Sequence, residues 1–356
     1  MTAYNVLFLG ASYGSLLATK LLFAGHKVTL VCLPAEQEAI NKDGARVRLP
    51  VKGRKELVEI HTPKLPGKLV ATGPTAVNPA DFDLVGLAMQ EPQYRQAEVR
   101  ALLDKVSKAK VPCMSIMNMP PLPYIKRIPD LNYDALKPAF TDASVWDSFD
   151  PTCVTLCSPD PQAFRPSDQP PSVLQVTLPT NFKVARFDND RCTQMLRQME
   201  QEIEAICYDA GGGEKIELPV KLKVHDSIFV PLAKWAMLLA GNYRCITPEG
   251  MRTAQEAVHS DVETSRSVYN FVFGLCVKLG ASPSDLVPFE KYAAAAQSLT
   301  RPSSAARALN NGAPYIERAD KLVQLIAKQK GLSHPVIDQI VALVDRRLQA
   351  NRTKTA

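Results

Sequence analysis

The chain has 356 residues, 46% of them hydrophobic, and a formal charge of +6 carried by scattered Lys and Arg. That length is comfortable for two domains, and without a basic run or stripe nucleic acid is not an expected partner. No apolar run reaches the ~20 residues that span a membrane and the N-terminus shows no signal-peptide pattern, so a soluble, cytoplasmic protein with no membrane partner is expected.

The first segment, "NVLFLGASYGSLLATKLLFAGHKVTLVCLP" from Asn5, reads strand, glycine turn, helix, strand. The first ~130 residues continue to alternate short apolar strands with helical stretches, as a parallel α/β sheet does. "RVRLPVKGRKELVEIHTPKLPGKLVATG" alternates like hairpin strands. Phe82 to Met89 is a short buried strand, "QAEVRALLDKVSKA" an amphipathic helix and "VPCMSIMN" another strand. "TCVTLCS" and "SVLQVTLPTNFKVARF" are expected as later, antiparallel strands. "CTQMLRQMEQEIEAI" is a helix, ended by Gly211 to Gly213. From about residue 219 the texture changes: Val224 to Cys245, Pro248 to Leu279 and Ala319 to Leu348 carry 3.6-residue apolar spacing. The tail "QANRTKTA" is expected to fray. The expected division is 1–218 for an α/β domain and 219–356 for a helical one.

The opening turn reads G-A-S-Y-G, not the G-x-G-x-x-G of dinucleotide-binding folds. A helix N-terminus presents unpaired N–H groups and partial positive charge to a pyrophosphate, provided the loop is small. Gly10 serves the turn, Gly14 allows close helix–sheet packing, Ala11 and Ser12 leave room, and Ser12 or Ser15 offers a hydroxyl. At the end of the second strand an acid favours NAD and an Arg favours NADP. "VCLPAEQ" offers neither at Cys32 or Leu33, so the choice stays open. Lys42, Arg46 or Arg48 of the following segment could supply a phosphate contact. The eight Cys include one C-x3-C pair, Cys153 and Cys157, and no C-x-x-C, so free thiols are expected. The five His lie in no metal-binding spacing, and no metal is expected.

Five segments, in order, resemble the ketopantoate reductases. They are "GSLLATKLLFAGHKVTLVCLPAEQEAINKDG", "SIMNMPP", "PLAKWAMLLAGNYRCIT", "RPSSAARALNNGAP" and "KGLSHPVIDQIVALV". The resemblance spans about 330 residues, with an expanded middle. It implies an N-terminal Rossmann-type domain followed by an all-helical C-terminal domain, and NADP or NAD as cofactor, with NADP favoured by the resemblance alone. It implies hydride transfer to the carbonyl of a 2-oxo acid or related small molecule, with a homodimer as an assembly to consider. By position, Lys234 matches the general acid and Asn118 the asparagine beside the nicotinamide. Asn242 and Ser304 match substrate-binding positions, and Glu317 is the candidate for the substrate-side glutamate. The cofactor set is Gly10, Ala11, Ser12, Tyr13, Gly14, Gln90 and Asn118. Lys234 and Asn242 are eight residues apart, about 80° on a regular α-helix.

Departures accompany the match. Gln90 stands where the family has Lys or Thr, and Leu238 replaces a mid-helix Asn. The family's glutamate falls at Ile316, with Glu317 one residue on, which is ~100° on a helix. Two rival readings stay open. One is an opine-dehydrogenase-like reductase of an imine using His225 and Asp226. The other is a dinucleotide-binding sensor without catalysis.

Overall fold

In the computed structural model, residues 3–209 and 214–355 are described, so the expected break at Gly211 to Gly213 lies outside the described residues. The chain forms two units. Unit 1 holds residues 1–89, 93–124 and 145–226, and unit 2 holds 90–92, 125–144 and 227–356.

Unit 1 is an α/β unit. Its strands, in chain order, are β1 (Asn5–Leu9), β2 (Lys27–Val31), β3 (Arg46–Leu49), β4 (Val58–His61), β5 (Lys68–Thr72), β6 (Leu84–Leu87), β7 (Cys113–Ile116), β8 (Val154–Ser158), β9 (Gln162–Phe164), β10 (Val173–Leu178), β11 (Phe182–Ala185), β12 (Cys207–Asp209), β13 (Lys215–Glu217) and β14 (Leu222–His225). The main sheet runs β14-β11-β8-β7-β6-β1-β2-β5. From β5 to β8 every pairing is parallel, and this six-strand part has the doubly wound 3-2-1-4-5-6 order. In such sheets the crevice lies where the order reverses, at the C-terminal ends of the strands, here those of β1 and β6. Both strands are buried, Leu84 to Leu87 at all four positions, as befits a sheet covered on both faces. Helices α1 (Ala11–Phe23), α2 (Pro34–Asp43) and α3 (Ala97–Ala109) are the crossovers and coverings that such a sheet needs.

Two sequence expectations are corrected. Of the alternating stretch after residue 45, β3 and β4 do form an antiparallel hairpin, but β5 joins the main sheet parallel to β2. The later strands are not simply antiparallel. β8 pairs parallel to β7 and antiparallel to β11, and β11 pairs parallel to β14. The cause is connection length. Residues 117–153 intervene between β7 and β8, which is long enough for a parallel crossover that no hairpin could make.

Unit 2 is helical. Its longer helices are Val262–Lys278, Ala319–Gln329 and Pro335–Thr355. The apolar stretch expected from Val224 does not begin as a helix: Leu222–His225 alternates buried and half-buried residues as strand β14, and helix starts at Pro231. The stretch from Pro248 divides because Thr253 caps one helix through Glu256 N and Asp261 caps the next through Thr264 N. Gly331, at φ +69°, stands just past the C-cap Lys330 and separates the last two helices. The last helix runs to Thr355 where a frayed tail was expected. Among the described residues no helix is long and apolar enough to cross a membrane, and no group of three or more metal-ligating side chains is found.

Candidate functional site

Gly10 follows β1 and is the N-cap of α1 at φ +105°, a backbone region that only glycine enters without strain. A Cβ there would sit 2.7 Å from Ala88 O and from Met89 Cγ. The turn after β1 and the end of β6 therefore meet at the crevice, and no larger residue fits. A Cβ added at Gly14 would meet Phe8 Cβ at 3.1 Å and Leu30 Cδ2 at 3.3 Å, so α1 lies tight on β1 and β2. The N-terminus of α1 has no side-chain cap and no acidic residue in its first turn. No carboxylate of the first turn therefore offsets the positive end of its dipole, which favours an anion. Ala11 is buried and Ser12 exposed. Tyr13 packs edge-on against Phe182, 6.4 Å between centroids. One turn into α1, buried Ser15 Oγ has no hydrogen-bond partner among the described residues. A glycine cradle, uncapped amides and an orphaned hydroxyl fit the pyrophosphate of a dinucleotide. Asn118 follows β7 in a bend, half-buried, and exposed Gln90 opens the short piece of chain assigned to unit 2.

The end of β2 holds a group that local sequence does not reveal. Arg165, just past β9, places Nη2 3.0 Å from Glu36 Oε1, while its Nη1 donates to Pro171 O. Glu36 Oε2 accepts from Leu33 N at 3.2 Å. An acid and an Arg thus share the place where dinucleotide folds read the adenosine ribose. Burial and Glu36 push the nearby Cys32 thiol up to about 11. Of the basic residues of the following segment, Arg48 is committed elsewhere, paired with Glu59 at 2.8 Å.

Helix α1 also buries Lys20, 1% exposed. Its Nζ donates to Pro219 O at 2.6 Å. Burial, with Lys221 adding like charge, lowers its pKa to about 7.

In unit 2, residues 231–245 form one helical rod that changes pitch. It is 3-10 over Pro231–Ala233, α over Lys234–Met237, π over Leu238–Asn242 and 3-10 over Tyr243–Cys245. The expected 80° between Lys234 and Asn242 assumed a regular α-helix and is corrected. A π turn takes about one extra residue, so the pair behaves like an i, i+7 pair, only ~20° apart. Burial agrees: between residues 231 and 246 the only positions not buried are Lys234, Met237 and Asn242.

The other substrate-side positions attach to this rod. Ser303 Oγ donates to Asn242 O at 2.7 Å. Ser303 is also the cap of helix Ser304–Asn310, accepting from Ala306 N, and Ser304, the first residue of that helix, is exposed. Tyr243 Oη donates to Glu317 O and accepts from Ala319 N at 2.9 Å. Residues 315–318 are not helical, so the 100° offset between Ile316 and Glu317 does not apply. Arg318 pins this backbone with two 2.9 Å bonds to Asp320 and one to Asp345. Within unit 2 the segments bearing Asn242, Ser304 and Glu317 are thereby hydrogen-bonded to one another. His225 ends β14 in unit 1 and is not on a helix. Its neighbour Asp226 accepts from Arg197 Nη2 at 2.6 Å.

No protein-family model matches the chain, and no curated protein matches it in sequence. Solved structures do match in fold. A protein of Ralstonia solanacearum MolK2 assigned as a ketopantoate reductase aligns with 98% of this chain and 99% of its own, at TM-score 0.65 and 14% identity. A dimeric ketopantoate reductase from Staphylococcus aureus aligns over 98% and 99%, at 0.58 and 10%. An octopine dehydrogenase in complex with NADH and agmatine aligns over 98% and 90%, at 0.60 and 12%. At these identities the likeness is one of fold: a Rossmann-type unit and a helical unit.

Proposed function

We propose that the chain is a nicotinamide-dinucleotide-dependent reductase of a small 2-oxo acid or related carbonyl compound. The observation that carries the reading is the shared facing of Lys234 and Asn242 on a rod where Met237 is the one other residue that is not buried. In unit 1, Gly10, Ala11, Ser12, Tyr13 and Gly14 hold the pyrophosphate at the α1 N-terminus. Gln90 and Asn118 complete the cofactor contacts. The bound cofactor supplies a hydride to the carbonyl carbon. Lys234 donates a proton to the carbonyl oxygen and stabilises the charge that develops there. Asn242 orients that oxygen, while Ser304 and Glu317 bind the acid end and its neighbour. The dimeric protein of like fold makes a homodimer the assembly to test by sedimentation.

NADPH and NADH are titrated by fluorescence, then followed at 340 nm with ketopantoate, pyruvate and 2-oxoglutarate, each with and without an added amino acid. Oxidation with an oxo acid alone supports the reading. Oxidation only with the amine present replaces it by imine reduction. Tight dinucleotide binding with no oxidation replaces it by a sensor, and no binding at all ends it.

A further inference from the structure

A helix that leaves the i→i−4 ladder frees carbonyl groups, and buried carbonyls need donors. Along the wide turn, three carbonyls accept from side chains. Met237 O accepts from Tyr292 Oη at 3.2 Å, Ala240 O from Arg244 Nη1 at 3.3 Å and Asn242 O from Ser303 Oγ at 2.7 Å. Of the three donors, Tyr292 also shapes the turn. A Cβ added at Gly241 would lie 1.9 Å from its Oη, so the absent side chain at Gly241 is the space that the phenol occupies. The ring is fixed in turn. It is 5% exposed and stacks on Tyr269, 5.3 Å between centroids and 19° between planes. Tyr269 Oη is anchored to Val287 O at 2.7 Å.

We propose that Tyr292 is a positioning residue: its hydroxyl on Met237 O and its ring against Gly241 hold the wide turn that brings Asn242 onto the side of the rod carrying Lys234. The proposal deepens the reductase reading and rests on it for the purpose of the turn, while the hold on the turn itself needs no substrate. Without the hydroxyl, Met237 O loses its side-chain donor and the turn relaxes toward regular α-helix. Asn242 then rotates away from Lys234 by most of one residue's step, ~100°.

The test uses full-length Tyr292→Phe, Gly241→Ala and the double variant. Amide exchange followed by mass spectrometry over residues 234–246 is expected to be about tenfold faster in Tyr292→Phe, the scale of one hydrogen bond, with unit 1 unchanged. Equal exchange overturns the proposal. With NADPH and whichever of ketopantoate, pyruvate or 2-oxoglutarate the wild type reduces, kcat is expected to fall about tenfold. NADPH affinity should stay constant. A folded Tyr292→Phe enzyme with wild-type kcat overturns the positioning role. Gly241→Ala is expected to melt earlier and lose turnover. Adding Tyr292→Phe removes the closest contact, so melting recovers while kcat stays low, and recovery of both would show that Tyr292 only packs. If the wild type reduces none of the three acids, the reductase reading fails by itself, and the exchange result still decides whether Tyr292 holds the turn.

Discussion

The glycine loop of unit 1 and the helical rod of unit 2 reach their shapes by opposite means. The loop is set by what is missing: two side chains that would collide with Ala88, Met89, Phe8 and Leu30. Its geometry is built into the backbone and needs no donor from elsewhere. The rod is set by what is added: hydroxyl and guanidinium groups that occupy its carbonyls. A site made by omission tolerates few substitutions at the glycines and many around them. A site made by added donors spreads its vulnerability over residues far along the chain.

The largest effect expected tests the rod. Lys234→Ala should lower kcat by roughly two to four orders of magnitude, the range for losing a positioned acid, with NADPH binding unchanged. Lys234→Arg should restore charge without restoring proton transfer. Steady-state kinetics with a thermal melt as folding control decide this, and near-normal turnover in a folded Ala variant removes Lys234 from the chemistry. The loop is tested next. Gly10→Ala and Gly14→Val should each weaken dinucleotide binding at least about a hundredfold, ~2.7 kcal/mol, while far-ultraviolet circular dichroism shows unit 2 still helical. Fluorescence titration with an unchanged Kd would refute the loop as the cofactor's seat.

A smaller effect sharpens the contrast, because at the end of β2 unit 1 also borrows a group from afar. Arg165→Ala should shift the NADPH-to-NADH affinity ratio toward NADH by about tenfold, ~1.4 kcal/mol. Titration with 2′,5′-ADP and 5′-AMP reads the same change without the nicotinamide, and an unaltered ratio would show that Arg165 only pairs with Glu36.

The smallest effect concerns Lys20. Its folded pKa, about 7, lies below the ordinary 10.5, so between these values the unfolded chain binds more protons and stability rises with pH. The cost of burying the amine is full below pH 7 and fades toward pH 10.5. Lys20→Met should therefore stabilise by about 1–3 kcal/mol near pH 6, after loss of the bond to Pro219 O. The gain should vanish near pH 10, and a pH-independent gain in denaturant melts would contradict the assignment.

How much could be read from sequence follows the same division. The α/β unit and the helical unit were legible because strands and crossovers leave local periodicity. Gly10 and Gly14 were legible because a tight turn declares itself in adjacent residues. Arg165 was not, since it stands at the far end of the expanded middle and reaches Glu36 only through folding. The π turn was not, since apolar spacing over "KWAMLLAGNYRC" cannot tell a wide turn from a regular one. Its signal was Gly241 inside a helix, a residue that costs ~1 kcal/mol there and so calls for a packing reason. Strand β14 was lost because four residues of alternation were absorbed into the helical stretch that follows.

Unit 1 is assembled from three separate pieces of chain, and β3 finds its parallel partner β10 only after Val173 is made. On the ribosome, the first 130 residues therefore emerge with one edge of β3 and the β8 side of β7 uncovered. Long-range strand pairing of this kind is slow and leaves edges exposed while it waits. The β3 and β7 edges of the nascent α/β unit therefore close only when β10 and β8 have been made, however stable the finished protein becomes.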